Sequence, residues 1–136
     1  MVKSKFSISL HIMTLLAYYP GEWHSSTIIA DSLNINPVLV RKELKALKES
    51  GLIQSKEGKH GGVMLGKTAK NISLADIFEA VKGNNNILNL SNNVPDVNCK
   101  IGGQINEKLM SMFNTIDNAI INSLKDQTLE EFANQF

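Results

Sequence analysis

Three features of the 136-residue chain predict a mainly helical fold carrying one small β-hairpin. Two short helical patterns stand back to back at 26–34 and 37–48, joined through Asn36 and Pro37. Two short strand patterns, 52–56 and 63–65, flank a glycine-rich tip that reads Gly58-Lys59-His60-Gly61-Gly62. A long apolar periodicity then fills 104–125. Helix, helix and glycine-tipped hairpin is the order of a winged helix-turn-helix, in which one helix braces, the next enters a DNA groove and the wing reaches the neighbouring backbone.

Each element has a local reason. Residues 6–17 are dense in apolar side chains, from Phe6 to Leu16, and predict a first, largely buried helix that stops before Pro20-Gly21. Ser26 is a good N-cap for a second helix, where Ile28, Ile29, Ala30 and Leu33 would form a short buried face ending near Asn34. Asn36 can satisfy the orphan N–H groups of a third helix starting at Pro37, where a missing donor costs nothing. Along it Val40, Leu44 and Leu47 form an inward stripe, Arg41, Lys42, Lys45 and Lys48 lie off that stripe, and Gly51 closes the helix. The glycines of the hairpin supply the positive φ that its tight connection requires. Ser73 and Asp76 make a capping box for a helix over 74–82, stopped by Gly83.

From 84 to 103 the periodicity dissolves into six asparagines between 84 and 93, a proline and a Gly-Gly, which predicts a loop or a partly disordered excursion carrying Cys99. The helix over 104–125 carries two apolar stripes, one of Ile105, Leu109, Met112, Ile116 and Ala119, the other of Met110, Phe113, Ile120, Ile121 and Leu124. That surface is too wide for one contact face. The simplest assignment packs one side on the chain's own first helix and the other on the same helix of a second subunit, giving a two-fold homodimer; completion of the monomer core alone is the other reading. Thr128 and Glu131 would cap a last short helix ending at Phe136. The organisation expected is a winged helix-turn-helix over 1–83, the loop over 84–103, and a dimerisation helix with a short C-terminal helix over 104–136.

Charge is unevenly distributed. Residues 1–70 hold ten basic side chains against five acidic ones, a surplus of +5, whereas 71–136 hold four lysines against eight acids, a deficit of −4, inside a net charge of +1. A basic head and an acidic tail are expected when one part meets a polyanion and the other does not. A solvated helix face with an ordinary hairpin is the bland reading of such lysines; their clustering on one helix and one wing favours double-stranded DNA. Apolar residues make up 43% of the chain, enough for a core. No apolar run reaches the length of a membrane span, and 6–19 ends in Tyr-Tyr-Pro-Gly rather than a small-residue cleavage site, so a cytoplasmic chain without a membrane partner is expected.

The placement of charges assigns roles. Arg41 and Lys42 are the expected base-edge or phosphate contacts, with Asn36, Pro37 and Val38 near the groove floor. Lys45, Lys56, Lys59 and His60 would meet phosphate or the minor groove, and Ser25 and Ser26, at a helix start, could offer backbone N–H groups to a phosphate. Gly61 to Thr68 formally satisfies the G-x-x-x-x-G-K-[ST] pattern of nucleotide-binding loops. A phosphate cradle needs a strand before it and a helix starting at the lysine, however, and here a hairpin precedes it while Val63, Met64 and Leu65 fill it. Neither a paired-carboxylate nor a Ser/His/Asp arrangement is identifiable by spacing, so no catalytic residue and no enzyme activity is expected. His11, His24 and His60 show no ligand spacing with Cys99, and neither a metal nor another cofactor is expected. The rival class is a winged-helix module that docks a protein instead of DNA.

The run Gly51-Leu52-Ile53, then Gly58-x-x-Gly61-Gly62, then Leu65-Gly66-Lys67, then Ile72-Ser73-Leu74-x-Asp76-Ile77-x-x-Ala80-Val81-x-Gly83 resembles the signature of the bacterial Rrf2 transcriptional regulators. The resemblance extends over nearly the whole chain, to the ending Thr128-Leu129-Glu130-Glu131-Phe132. It implies a dimeric winged-helix DNA binder, usually a repressor, whose long helices cross between subunits. Members of that family that bind an iron–sulfur cluster carry three cysteines before the long helix, where this chain has only Cys99, and the family's wing commonly has a tyrosine in place of Val63. Two thiolates from a symmetric pair are too few for a cluster. Cys99-Lys100-Ile101-Gly102 resembles instead the single-cysteine branch, in which a loop thiol of lowered pKa beside a lysine and a helix start would respond to oxidants or electrophiles; an inert, merely packed cysteine is the alternative.

Overall fold

A computed structural model describes residues 4–136. Among these residues six α-helices, α1 (Lys5–Tyr18), α2 (Ser26–Leu33), α3 (Pro37–Glu49), α4 (Leu74–Lys82), α5 (Ile105–Leu124) and α6 (Leu129–Ala133), accompany one antiparallel hairpin of β1 (Ile53–Lys56) and β2 (Gly62–Leu65). The winged helix-turn-helix with a long C-terminal helix is thus the architecture found.

The helix starts follow from their caps. Ser25, not Ser26, caps α2: its Oγ accepts from the Ile28 N–H at 3.2 Å, and Ser26 is the first helical residue. Ile29 and Ala30 enter the core, whereas Ile28 is 55% exposed, contrary to the buried face expected for it. Asn36 caps α3 through Oδ1 on the Val38 N–H at 2.8 Å, with Pro37 in the first turn. Ser73 and Asp76 form the reciprocal capping box of α4. Asn34 and Gly51, both at positive φ, turn the chain out of α2 and α3.

The head's core gathers Ile12, Met13 and Leu16 of α1, Ile29 of α2, Val40 and Leu47 of α3 and Ile77 of α4, all at 1% exposure or less. Each such side chain contributes about 1.5–3 kcal/mol by leaving water. Leu129 of α6, also fully buried, belongs to the same cluster. Its place is fixed by backbone pairing: Leu74 N–H donates to Gln127 O and Leu129 N–H to Ile72 O, both at 2.8 Å, around a Ser73–Thr128 bridge. The last helix ends at Ala133, not at Phe136.

The long helix is placed differently from the expectation. α6 covers α1, and Phe6 meets Phe78 of α4 edge to face at 5.7 Å, so α5 packs chiefly on α4 and not on α1. Within α5 Phe113 and Asp117 are buried, whereas Met112 of the first stripe is 56% exposed and Met110 of the second 38%.

Candidate nucleic-acid interface

The recognition surface is built on α3. Glu43 is buried together with Val40, Leu44 and Leu47, so the exposed charges between 37 and 48 are Arg41, Lys42, Lys45 and Lys48, all positive. Val38, Arg41, Lys42 and Lys45 recur at three- and four-residue spacing and share one helix face. Arg41 Nη1 donates to Ser26 Oγ at 3.5 Å, which brings the start of α2 beside the middle of α3. Asn36 lies exposed at the head of this face, with its carbonyl oxygen committed to the cap. The Ser25 hydroxyl is committed in the same way, so an anion at α2 would meet backbone donors with Arg41 alongside.

The wing is held by more than its two strands. Lys56 pairs with Gly62 and Ser55 with Val63, and the Val63 N–H and C=O exchange hydrogen bonds with the His24 backbone at 2.8 and 2.9 Å. A Cβ at Gly62, whose φ is 145°, would collide with the His24 carbonyl, so a glycine is required where the wing meets the chain leading into α2. Lys59 and His60 are exposed at the tip. Lys56 stands apart from them, its ammonium 5.9 Å from the centre of the Trp23 ring. Trp23 and the His24 clamp went unnoticed in the sequence, because their partners are some thirty to forty residues away and no local pattern marks them.

The formal nucleotide-loop pattern falls inside this wing: Gly62–Leu65 is strand, and a three-residue 3-10 turn, Ala69–Asn71, follows Lys67 where an α-helix would have to begin. Cys99 is exposed among the turns before α5, and backbone N–H groups of Gly102 first and Ile101 second favour its thiolate, holding its pKa below the ordinary thiol value.

A cationic helix face beside a clamped, glycine-cornered wing defines a winged-helix transcriptional regulator. The model of the family described as Rrf2, iron-dependent transcriptional regulator, matches residues 2–135. YwnA of Bacillus subtilis, provisionally named an HTH-type transcriptional regulator, is 32% identical over 98% of both chains. A crystal structure of a protein provisionally described as DNA-binding shares 31% identity, with a TM-score of 0.70 over 95% of this chain and 98% of its own. The global cysteine regulator CymR of B. subtilis has the same fold at 23% identity and a TM-score of 0.70, covering 98% and 95%. The chain belongs to the Rrf2 family of transcriptional regulators. The iron in that description does not fit the residues present: one thiol is available, and among the described residues no three His, Cys, Asp or Glu side chains converge. Also among the described residues, no helix is long and apolar enough to cross a membrane.

Proposed function

We propose that this chain is a homodimeric repressor that binds a palindromic DNA operator in the cytoplasm, with the two α3 helices in successive major grooves roughly 34 Å apart. The observation that carries the reading is the outward face of α3, on which every exposed charge from Pro37 to Lys48 is positive, headed by a capped, proline-fixed first turn. Arg41 and Lys42 meet base edges or phosphate, with Asn36, Pro37 and Val38 at the groove floor. Lys45, Lys56, Lys59 and His60 meet phosphate or the minor groove, and the Ser25-Ser26 start of α2 holds one phosphate with Arg41. Residues 1–83 form the DNA-binding part, 84–103 the sensing loop and 104–136 the pairing part, with the apolar residues that α5 leaves exposed meeting their counterparts on a second copy.

Control is assigned to Cys99. Its thiolate attacks the O–O bond of a peroxide, giving a sulfenic acid and releasing hydroxide, and the altered loop shifts α5 and with it the separation of the two α3 helices. The test of the whole reading is duplex affinity measured against salt. A steep fall is expected, and Lys42→Ala or Lys45→Ala should each lower the slope of log affinity against log salt by about 1. Affinity that ignores salt would refute phosphate recognition and favour a protein partner.

A further inference from the structure

We infer that Val38, with Leu39 beside it, determines operator specificity by reading thymine C5-methyl groups; the inference rests on the DNA-binding reading above. Val38 is 59% and Leu39 47% exposed, on a helix whose inward residues Val40, Leu44 and Leu47 are at 8% or less. They are apolar groups placed outside the core at the first turn of α3, the part of a recognition helix that reaches base edges. The placement is rigid. Asn36 Oδ1 holds the Val38 N–H at 2.8 Å, Pro37 fixes the preceding φ, and a β-branched side chain on a helix has essentially one rotamer.

The surroundings select the occupant. Val38 heads the face formed by Arg41, Lys42 and Lys45, so whatever covers it also presents negative charge one to two turns further along. A DNA groove offers both: phosphates for the cations, and on its floor a single kind of apolar group, the methyl of thymine. Valine can neither donate nor accept a hydrogen bond. Set against cytosine, it would strip water from the N4 amino group without replacing it, so the same contact that favours thymine penalises cytosine.

The test uses the full chain and duplexes that it selects from a random pool, with each thymine of the selected site replaced singly by uracil, which lacks only the methyl. One or two positions per half-site should weaken binding about fourfold, the worth of one buried methyl. In Val38→Ala or Leu39→Ala the loss at the matching position should shrink below twofold. Both side chains are exposed in the free protein, and unchanged thermal melting of the variants verifies that their fold is intact. Equal affinity for thymine and uracil at every position overturns the inference, as does a uracil penalty that persists undiminished in both variants. Failure to bind any duplex in dilute salt would be a different result, removing the DNA-binding reading and this inference with it.

Discussion

Cys99 shows what one residue of this chain can and cannot reveal before it is folded. Its neighbour Lys100 and the helix starting shortly after it suggest a lowered pKa, and the direction is right. The cause differs: turn amides of Gly102 and Ile101 face the sulfur, and a sequence does not show where turn amides point. Gly102 is itself fixed, because a Cβ there would strike the Asp96 carbonyl. A depressed pKa means more thiolate at any pH below the ordinary thiol range, so alkylation by iodoacetamide should reach half its maximal rate at lower pH in the native chain than in the urea-unfolded chain. Coincident midpoints would contradict that. Cys99→Ser should leave duplex binding intact while abolishing peroxide-induced release, and an unaltered peroxide response would discard the sensing role.

Among the elements, α5 was legible as a helix and misread in its packing. Its apolar stripes fix its length, yet its most buried residue, Asp117, ties it by polar contacts to the end of α4 and the loop that follows. Asp117, 3% exposed, accepts from the Asn86 amide at 2.6 Å and the Ile87 N–H at 3.2 Å, with Lys82 Nζ at 3.7 Å. Asn86 also donates to Asn114 at 2.9 Å. An aspartate between apolar stripes looks like a surface residue, because its partners lie on the end of α4 and the following loop, some thirty residues earlier in the chain. Asp117→Ala leaves those donors facing a void and should lower stability by about 2–3 kcal/mol. Asp117→Asn, which keeps one acceptor oxygen, should cost less. Urea denaturation with an unchanged m-value measures both, and a loss below about 0.5 kcal/mol for Asp117→Ala would show the node to be dispensable.

At the scale of the molecule, helix order, the caps of α3 and α4 and the wing could be read from local chemistry because each is decided within a few residues: Asn36-Pro37, Ser73 with Asp76, the glycines of the tip. What escaped the sequence is long-range closure. The segment 127–129 pairs with 72–74, and Leu129 completes a core otherwise drawn from the first eighty residues. Leu129→Ala should therefore destabilise the head by about 2–5 kcal/mol, read as a lower midpoint in chemical unfolding, although the residue lies far from it in sequence. A loss no larger than that of an exposed surface residue would separate the C-terminal end from the head energetically.

The backbone bonds joining Leu74 to Gln127 and Leu129 to Ile72 also act as a clasp at the neck of everything between them. The turns around Cys99 and the long rod make up a closed handle rather than a dangling arm. Severed somewhere along the far turns, the chain would still be gripped at the base, and the pieces would part only once that clasp had opened together with the packing of α6 on α1 and of α5 on α4.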